Sequence, residues 1–458
     1  MPHRYRSHPA EESVKLNVLL ITFSFPPAGG VGVLRALSLA KYLPENGIRV
    51  DVLTARNAPA VGQDSALLRQ VPENVTVHRT WTLDLPFWLR KTVKKVVSGG
   101  GGKATVSQQN CVNRGNPLKQ IVGNLLLPDP QVGWLPFALP AAERIIRERK
   151  IDVVLITVPP FSSVRLATRL RKVFLALPIV VDFRDEWLST TINLVSFNNN
   201  NRARMVAHKA EAEAVRDATA IVLVTEAARK ELQRRYPGVP AGKFHCIPNG
   251  FDTAMPVPVV SEPVADSEDQ KTVLTYIGTV YGSTDPRTFV QAVQRLPSEV
   301  RSKLRVRFIG HIEAPVYREA LTSLGDTVEL RGFIPQAEAL RAIRDTTYLL
   351  LITHDRINVA AKFYDYLGGG KPILGAVHPD GDVRRLLEET GAGWWAGVDD
   401  VEAIRRMLIK AVARQATLGE VFRPDRERIA DYHRRPLAHR YAGLLREMVP
   451  SQTVSAQP

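Results

Sequence analysis

The sequence predicts an α/β protein built from two doubly wound domains that face a central cleft. Three observations lead there. Strand-length apolar runs alternate with helix-period segments from residue 17 onward. The alternation stops at 253–270 (TAMPVPVVSEPVADSEDQ), a stretch rich in Pro and acids with no periodicity. It then restarts at Lys271. The expected division is therefore a Rossmann-like domain at 1–252, a linker at 253–270, a second Rossmann-like domain at 271–424, and a C-terminal helix and tail at 425–458.

Element by element, NVLLITF (17–23) reads as a strand and SFPPAGGVG (24–32) as a Pro/Gly loop. LRALSLAKYLPENG then has helical spacing with Gly47 as its stop, and IRVDVLT follows as a second strand. IDVVLIT (151–157), LPIVVDF (177–183) and TAIVLVT (219–225) continue the strands, with helices at 202–218 and 226–236. KFHCIPNGFD (243–252) closes the first half. In the second, KTVLTYIG (271–278), LRVRFIG (304–310), DTVELRG (326–332) and TTYLLLIT (346–353) are strands. AAKFYDYLGGGKPIL reads as helix, Gly turn and strand, and 425–447 as one long helix.

Composition removes several classes. Hydrophobic residues at 45% and charged residues at 23% are ordinary globular usage and exclude a disordered chain. Two distant cysteines, Cys111 and Cys246, exclude a zinc ribbon, a disulfide scaffold and a CxxC redox site, and fit a reducing compartment. No run approaches the roughly 18–20 apolar residues of a membrane span. The polar start MPHRYRSHPAEESVK lacks the apolar core of a signal peptide. A cytoplasmic chain is expected. Lys plus Arg exceed Asp plus Glu by 15, which favours anionic partners such as phosphorylated small molecules or an acidic membrane surface. No nucleic-acid motif accompanies the charge, so no nucleic-acid partner is expected.

Several clusters carry candidate chemistry. Gly29, Gly30 and Gly32 lie between the first strand and its helix, where backbone N–H groups can meet an anion. The spacing is neither GxGxxG nor GxxxxGK[ST], and a plain tight turn also fits. Lys362 and Asp365, three apart on a helix, suit a phosphosugar, or a surface ion pair. Asp182, Arg184 and Asp185 follow a strand's carboxyl end, where ligands bind in open α/β sheets; a structural ion-pair network is the alternative. Asp129, with Trp134 nearby, could accept from a hydroxyl or serve a turn. Asp380-Gly-Asp382 reads as turn and N-cap rather than as a metal pair. In LPFWLRKTVKKVV (85–97), at about 100° per residue, Leu85, Leu89, Val93 and Val96 share one side and Arg90, Lys91, Lys94 and Lys95 the other. That pattern fits a helix in a membrane interface, or a domain helix with a solvated basic face.

FPPAGGVGVLRALSLAKYL, DFRDEW, IPNGFD and KFYDYLGGGKPIL, in this order, resemble the family 4-like glycosyltransferases of GT-B fold. The resemblance implies a nucleotide-diphosphate sugar donor held mainly by the C-terminal domain and a carbohydrate or lipid-linked acceptor held mainly by the N-terminal one. It also implies retention at the anomeric carbon, no metal and no cofactor. The family's donor-site Glu falls at Asp365, and the first Glu of its E-x7-E motif would fall at Ile357, where it is missing. The basic pair after the first C-domain strand is missing too: Gly278 is followed by Thr-Val-Tyr-Gly. Arg184, Lys362 and Asp182 are then the expected catalytic set. Gly29, Gly30, Gly278, Lys362 and Asp365 are the expected donor site, and Arg35, Asp129 and Asp185 the acceptor side. The DFRD-W and K-x-x-D-Y-L strings resemble a subgroup that builds cell-surface polysaccharides, which would place the chain peripherally at the inner face of the plasma membrane. Two other readings stay open: a catalytically silent GT-B protein acting as an assembly partner, and a sugar-nucleotide 2-epimerase.

Overall fold

The computed structural model describes residues 16–58, 63–83, 127–189, 201–252, 271–334, 336–414 and 417–449. The basic segment 85–97 and the linker 253–270 lie outside the described residues.

Two parallel sheets form the frame. The first has strands β1 (Leu16–Ile21), β2 (Ile48–Ala55), β3 (Thr76–Thr80), β4 (Val153–Val158), β5 (Ile179–Phe183), β6 (Ala220–Leu223) and β7 (Phe244–Cys246). Their order is β3-β2-β1-β4-β5-β6-β7. The second has β8 (Thr272–Ile277), β9 (Leu304–Ile309), β10 (Val328–Arg331), β11 (Tyr348–Thr353), β12 (Ile373–Val377) and β13 (Gly393–Gly397) in the order β10-β9-β8-β11-β12-β13. The doubly wound α/β class read from the sequence is what the chain adopts.

The physical reason lies in strand composition. Strands of a parallel sheet covered on both faces are apolar throughout rather than alternating. In β1, Leu19 and Ile21 enter one core, while Leu16, Val18 and Leu20 enter the core on the opposite face. In β11, Tyr348, Leu350 and Ile352 separate from Leu349 and Leu351 in the same way.

The C-terminal segment departs from the expected single helix over 425–447. A short helix Arg426–Ala430 ends, His433 takes extended backbone and caps a new helix, Arg434–Met448. Pro436 marks this restart: proline suits the first turn, where its missing N–H has no partner to lose. That last helix packs on the first half, where Leu437, Tyr441, Ala442, Leu444 and Leu445 join the core beneath β1 and β2. β3, β13 and the helices Leu135–Glu148, Asp382–Thr390 and Val401–Ala413 complete the layers.

The two halves touch directly. Thr225 Oγ1 donates to the Ile357 carbonyl at 2.8 Å, and the Ala227 amide donates to Asp382 Oδ2 at 2.8 Å. The Glu186 amide donates to Asn358 Oδ1 at 3.1 Å. Asp382 thus ties one half to the other, with Arg385 Nε at 2.8 Å as its second partner.

Candidate functional site

A cavity of about 450 Å³ opens between the halves, within the size range of small-molecule sites. Its walls come from the carboxyl ends of the strands at the point where each sheet's order reverses, β1/β4 and β8/β11, the usual ligand position in open α/β sheets. Gly32, Pro159, Phe161 and Asp185 line it from the first half. Tyr281, Ser283, Thr284, Thr353 and Asp355 line it from the second, and Arg434, Leu437, Ala438 and Tyr441 from the last helix.

The DFRDEW string assigns one task to each side chain. Asp182 is wholly buried and receives Arg35 Nε at 3.0 Å, Arg35 NH2 at 2.9 Å and the Tyr441 hydroxyl at 2.7 Å. Phe183 sits in the core. Arg184 donates to the carbonyls of Val158, Pro159 and Gly32. Burial pulls the Arg184 pKa below its ordinary value, with Asp185 and Asp182 opposing. Asp185 opens into the cleft, and no hydrogen bond or ion pair involves its carboxylate among the described residues. Surrounding protein lifts its pKa above the usual range; Arg184 pulls it down and Asp355 pushes it further up. Glu186 pairs with Arg235 at 2.7 Å, and Trp187 stacks on Phe161 with centroids 4.6 Å apart.

Arg35 and Asp182, expected on the acceptor side and in the catalytic set, are therefore joined to each other. Arg35 also donates to the carbonyls of Pro248 and Ile247 at 2.7 and 2.8 Å, and to Asn249 Oδ1 at 3.2 Å. Burial works against its charge, but Asp182 and Tyr441 outweigh burial and hold its pKa above normal. IPNGFD is thereby pinned to the helix Val31–Tyr42. Gly250 is needed there, because a Cβ would lie 2.2 Å from the Tyr432 carbonyl oxygen.

Asp129 does not line the cleft. Its Oδ2 accepts the Ser162 amide at 2.8 Å and anchors the Pro159–Phe161 loop from behind. Its burial raises its pKa. Gly29 and Gly30 precede the helix Val31–Tyr42, with Gly30 at φ 107° as its N-cap; Gly32, already in the first turn of that helix, reaches the cavity.

On the other side, Gly278 follows β8 at φ 133°, and Lys362 Nζ would be 3.5 Å from a Cβ placed there. Lys362 sits over the Tyr276 ring at 3.7 Å and donates to its hydroxyl, which in turn donates to the Thr279 carbonyl at 2.8 Å. Among the described residues no acid pairs with Lys362. Burial alone pulls its pKa down to about 7, so an approaching anion would restore its full charge. Asp365, one turn on, turns elsewhere: burial lifts its pKa, and Arg434 is the charge that opposes this. Neither Lys362, Asp365 nor Gly278 lines the cavity itself.

Ile357, at the position of the missing Glu, packs into the core of the first half. Two residues earlier Asp355 does line the cleft, its Oδ1 holding the amides of Ile357 and Asn358 at 2.8 and 2.9 Å. Asp355, Arg434 and Tyr441 were not among the expected site residues. Asp355 lies just beyond the end of β11, so the carboxyl-end rule could have found it. Arg434 and Tyr441 have no local signal, because their helix reaches the cleft only by crossing back to the first half.

With this geometry in place, comparison with known proteins adds the following. Residues 96–255 match the family model described as Glycosyltransferase Family 4. No curated protein matches the sequence. Among solved structures, Anabaena HepE in complex with UDP is 12% identical with a TM-score of 0.59, covering 94% of this chain and 100% of its own. HepE in complex with UDP-glucose gives 14% identity and a TM-score of 0.55, with coverage of 94% and 100%. A Rickettsia africae glycosyltransferase is 11% identical with a TM-score of 0.57, covering 95% and 99%. The α,α-trehalose 6-phosphate synthase of Burkholderia multivorans is 12% identical with a TM-score of 0.59, covering 97% and 99%. The family model thus matches part of the chain, and the solved structures share its fold.

Proposed function

We propose that this protein is a glycosyltransferase that moves a sugar from a nucleotide-diphosphate donor to an acceptor hydroxyl. The observation that carries the reading is the cleft itself. It lies at the switch points of two facing sheets and presents, from the first half, the carboxylate of Asp185, which has no hydrogen-bond or ion-pair partner among the described residues. Beyond its opposite wall, beside Gly278, lies Lys362, which no acid pairs among the described residues. The family match and the UDP and UDP-glucose complexes of HepE support it.

In this reading the bond from the anomeric carbon to the diphosphate oxygen breaks as the bond to the acceptor oxygen forms. Lys362 meets the negative charge that develops on the leaving diphosphate. Asp185 orients the acceptor hydroxyl and, as the base, takes its proton while the new bond forms. Asp182 acts as a positioning residue: with Arg35 and Tyr441 it holds the floor on which Asp185 stands. Arg184 positions the loops of β1 and β4 by their carbonyls, and Asp365 is assigned to hydroxyls of the donor. Transfer with retention, without a metal, in the assembly of a cell-surface polysaccharide or glycolipid, belongs to the same proposal.

The test is a thermal-shift screen against nucleotide diphosphates and nucleotide sugars, followed by detection of transferred sugar. A ligand at 100 times its dissociation constant stabilises the folded state by about 2.7 kcal/mol. A shift with one base, weakened in Lys362→Ala, is the expected result; no shift at millimolar ligand would favour the silent assembly partner, for which Ile357 in the core is the motive. Peripheral attachment through 85–97 is tested separately. Replacing Lys91, Lys94 and Lys95 by Glu should weaken binding to anionic vesicles, and undiminished binding would remove that segment as anchor.

A further inference from the structure

We infer that Arg434, on the last helix, is a second cation that, with Lys362, receives the donor's diphosphate in place of the basic pair missing after β8. The inference rests on the transferase reading above. The loop that follows β8 reads Gly-Thr-Val-Tyr-Gly-Ser-Thr-Asp from Gly278 to Asp285 and offers no positive charge, although Tyr281, Ser283 and Thr284 line the cleft. The first cation beyond it, Arg287, is turned to Asp285 at 2.6 Å on the surface.

Among the described residues, three arginines line the cleft: Arg35, Arg184 and Arg434. Arg35 has all three guanidinium nitrogens occupied by Asp182, Tyr441, Asn249 and two carbonyls. Arg184 has each nitrogen on a carbonyl. The Arg434 side chain makes no hydrogen bond or ion pair among the described residues, so its planar fork is open to a ligand. Its backbone is nevertheless fixed, since its amide donates to the Phe251 carbonyl at 2.9 Å and His433 caps the helix it begins. An open guanidinium on a fixed base is suited to a bidentate phosphate contact. Burial lowers its pKa, with Asp365 and Asp252 as the main opposing charges, so a dianion entering the cleft would relieve an undercompensated cation. The arrangement also draws the last helix, packed on the first half, into donor binding by the second.

Calorimetry of the full chain with UDP, GDP and ADP, each beside its own nucleoside, tests this in wild type, Arg434→Ala and Arg434→Lys. Arg434→Ala should weaken the diphosphate that wild type binds by roughly ten- to a hundredfold, as expected for loss of a charged hydrogen bond. The nucleoside should be bound as before, the melting temperature of the free protein should hold, and Arg434→Lys should restore part of the affinity. Equal diphosphate affinity in Arg434→Ala and wild type would overturn the inference alone. An equal loss for the nucleoside would also overturn it, as the mark of a structural role. Absence of binding by wild type to all three diphosphates would overturn the transferase reading and this inference together.

Discussion

Asp182 and Arg35 stand 147 residues apart in the chain and meet in a two-pronged contact, Nε to Oδ2 at 3.0 Å and NH2 to Oδ1 at 2.9 Å. The Tyr441 hydroxyl closes the network, accepting from Arg35 and donating to Asp182 Oδ1. Both charges are buried. Removing one partner leaves the other uncompensated, which typically costs about 3–5 kcal/mol. Asp182→Ala should lose that much in urea unfolding. Tyr441→Phe, which removes hydrogen bonds to charged groups, should lose about 1.5–3 kcal/mol. A silent Asp182→Ala would mean the pair is not what fixes the last helix to the first half.

Lys362 yields a pH dependence. Its pKa is lowered from 10.5 to about 7, so between those values the folded state carries fewer protons than the unfolded one. Its cost to stability therefore grows as pH falls from 10.5 to about 7 and is constant below. Lys362→Met should be more stable than wild type at pH 7, with the advantage fading as pH rises from about 7 and absent above pH 10.5. Nucleotide binding should show the opposite sign: affinity is highest below pH 7, declines as pH rises, and binding takes up a proton near pH 8, which calorimetry in buffers of different ionisation heat detects. A stabilised variant with lost ligand affinity is the pattern of a functional group kept at a cost to stability.

Asp185 separates acceptor chemistry from donor binding. Among the described residues its carboxylate makes no hydrogen bond or ion pair, so Asp185→Asn should leave the fold and the nucleotide-induced shift in place. Sugar transfer should fall by roughly a hundredfold or more, the usual effect of losing a positioned base. Full transfer by Asp185→Asn would remove it from the acceptor side.

Arg235 is bonded to Glu186 and Glu211, each at 2.7 Å, and both carboxylates are buried. Burial lifts the Glu211 pKa to about 7 even against the pull of Arg235. Arg235→Ala should destabilise the first half by about 3–5 kcal/mol. Because Glu186 also holds the amides of Leu188 and Ser189 beyond the DFRDEW string, transfer activity should fall with it. Circular dichroism during urea unfolding, beside an activity assay, measures both effects.

The sequence by itself determined the two doubly wound sheets and the carboxyl-end position of DFRDEW. Burial of a parallel strand on both faces demands a continuous apolar run, and that demand is met locally, as in β4 and β11. It also singled out Lys362, at the start of a helix, and Asp185, just past the end of a strand; the fold brings Asp185 to the cleft and leaves Lys362 behind its wall. Only the tertiary structure decided which of the charged residues are free. Asp182, Arg35 and Arg184 look as available in the chain as Asp185 does. A buried charge must be compensated, however, and its partner is whatever segment the fold brings within about 3 Å. Tyr441 and Arg434 reach the cleft for the same reason: the last helix returns to cover the apolar face beneath β1 and β2, a packing demand that no spacing within 425–447 records.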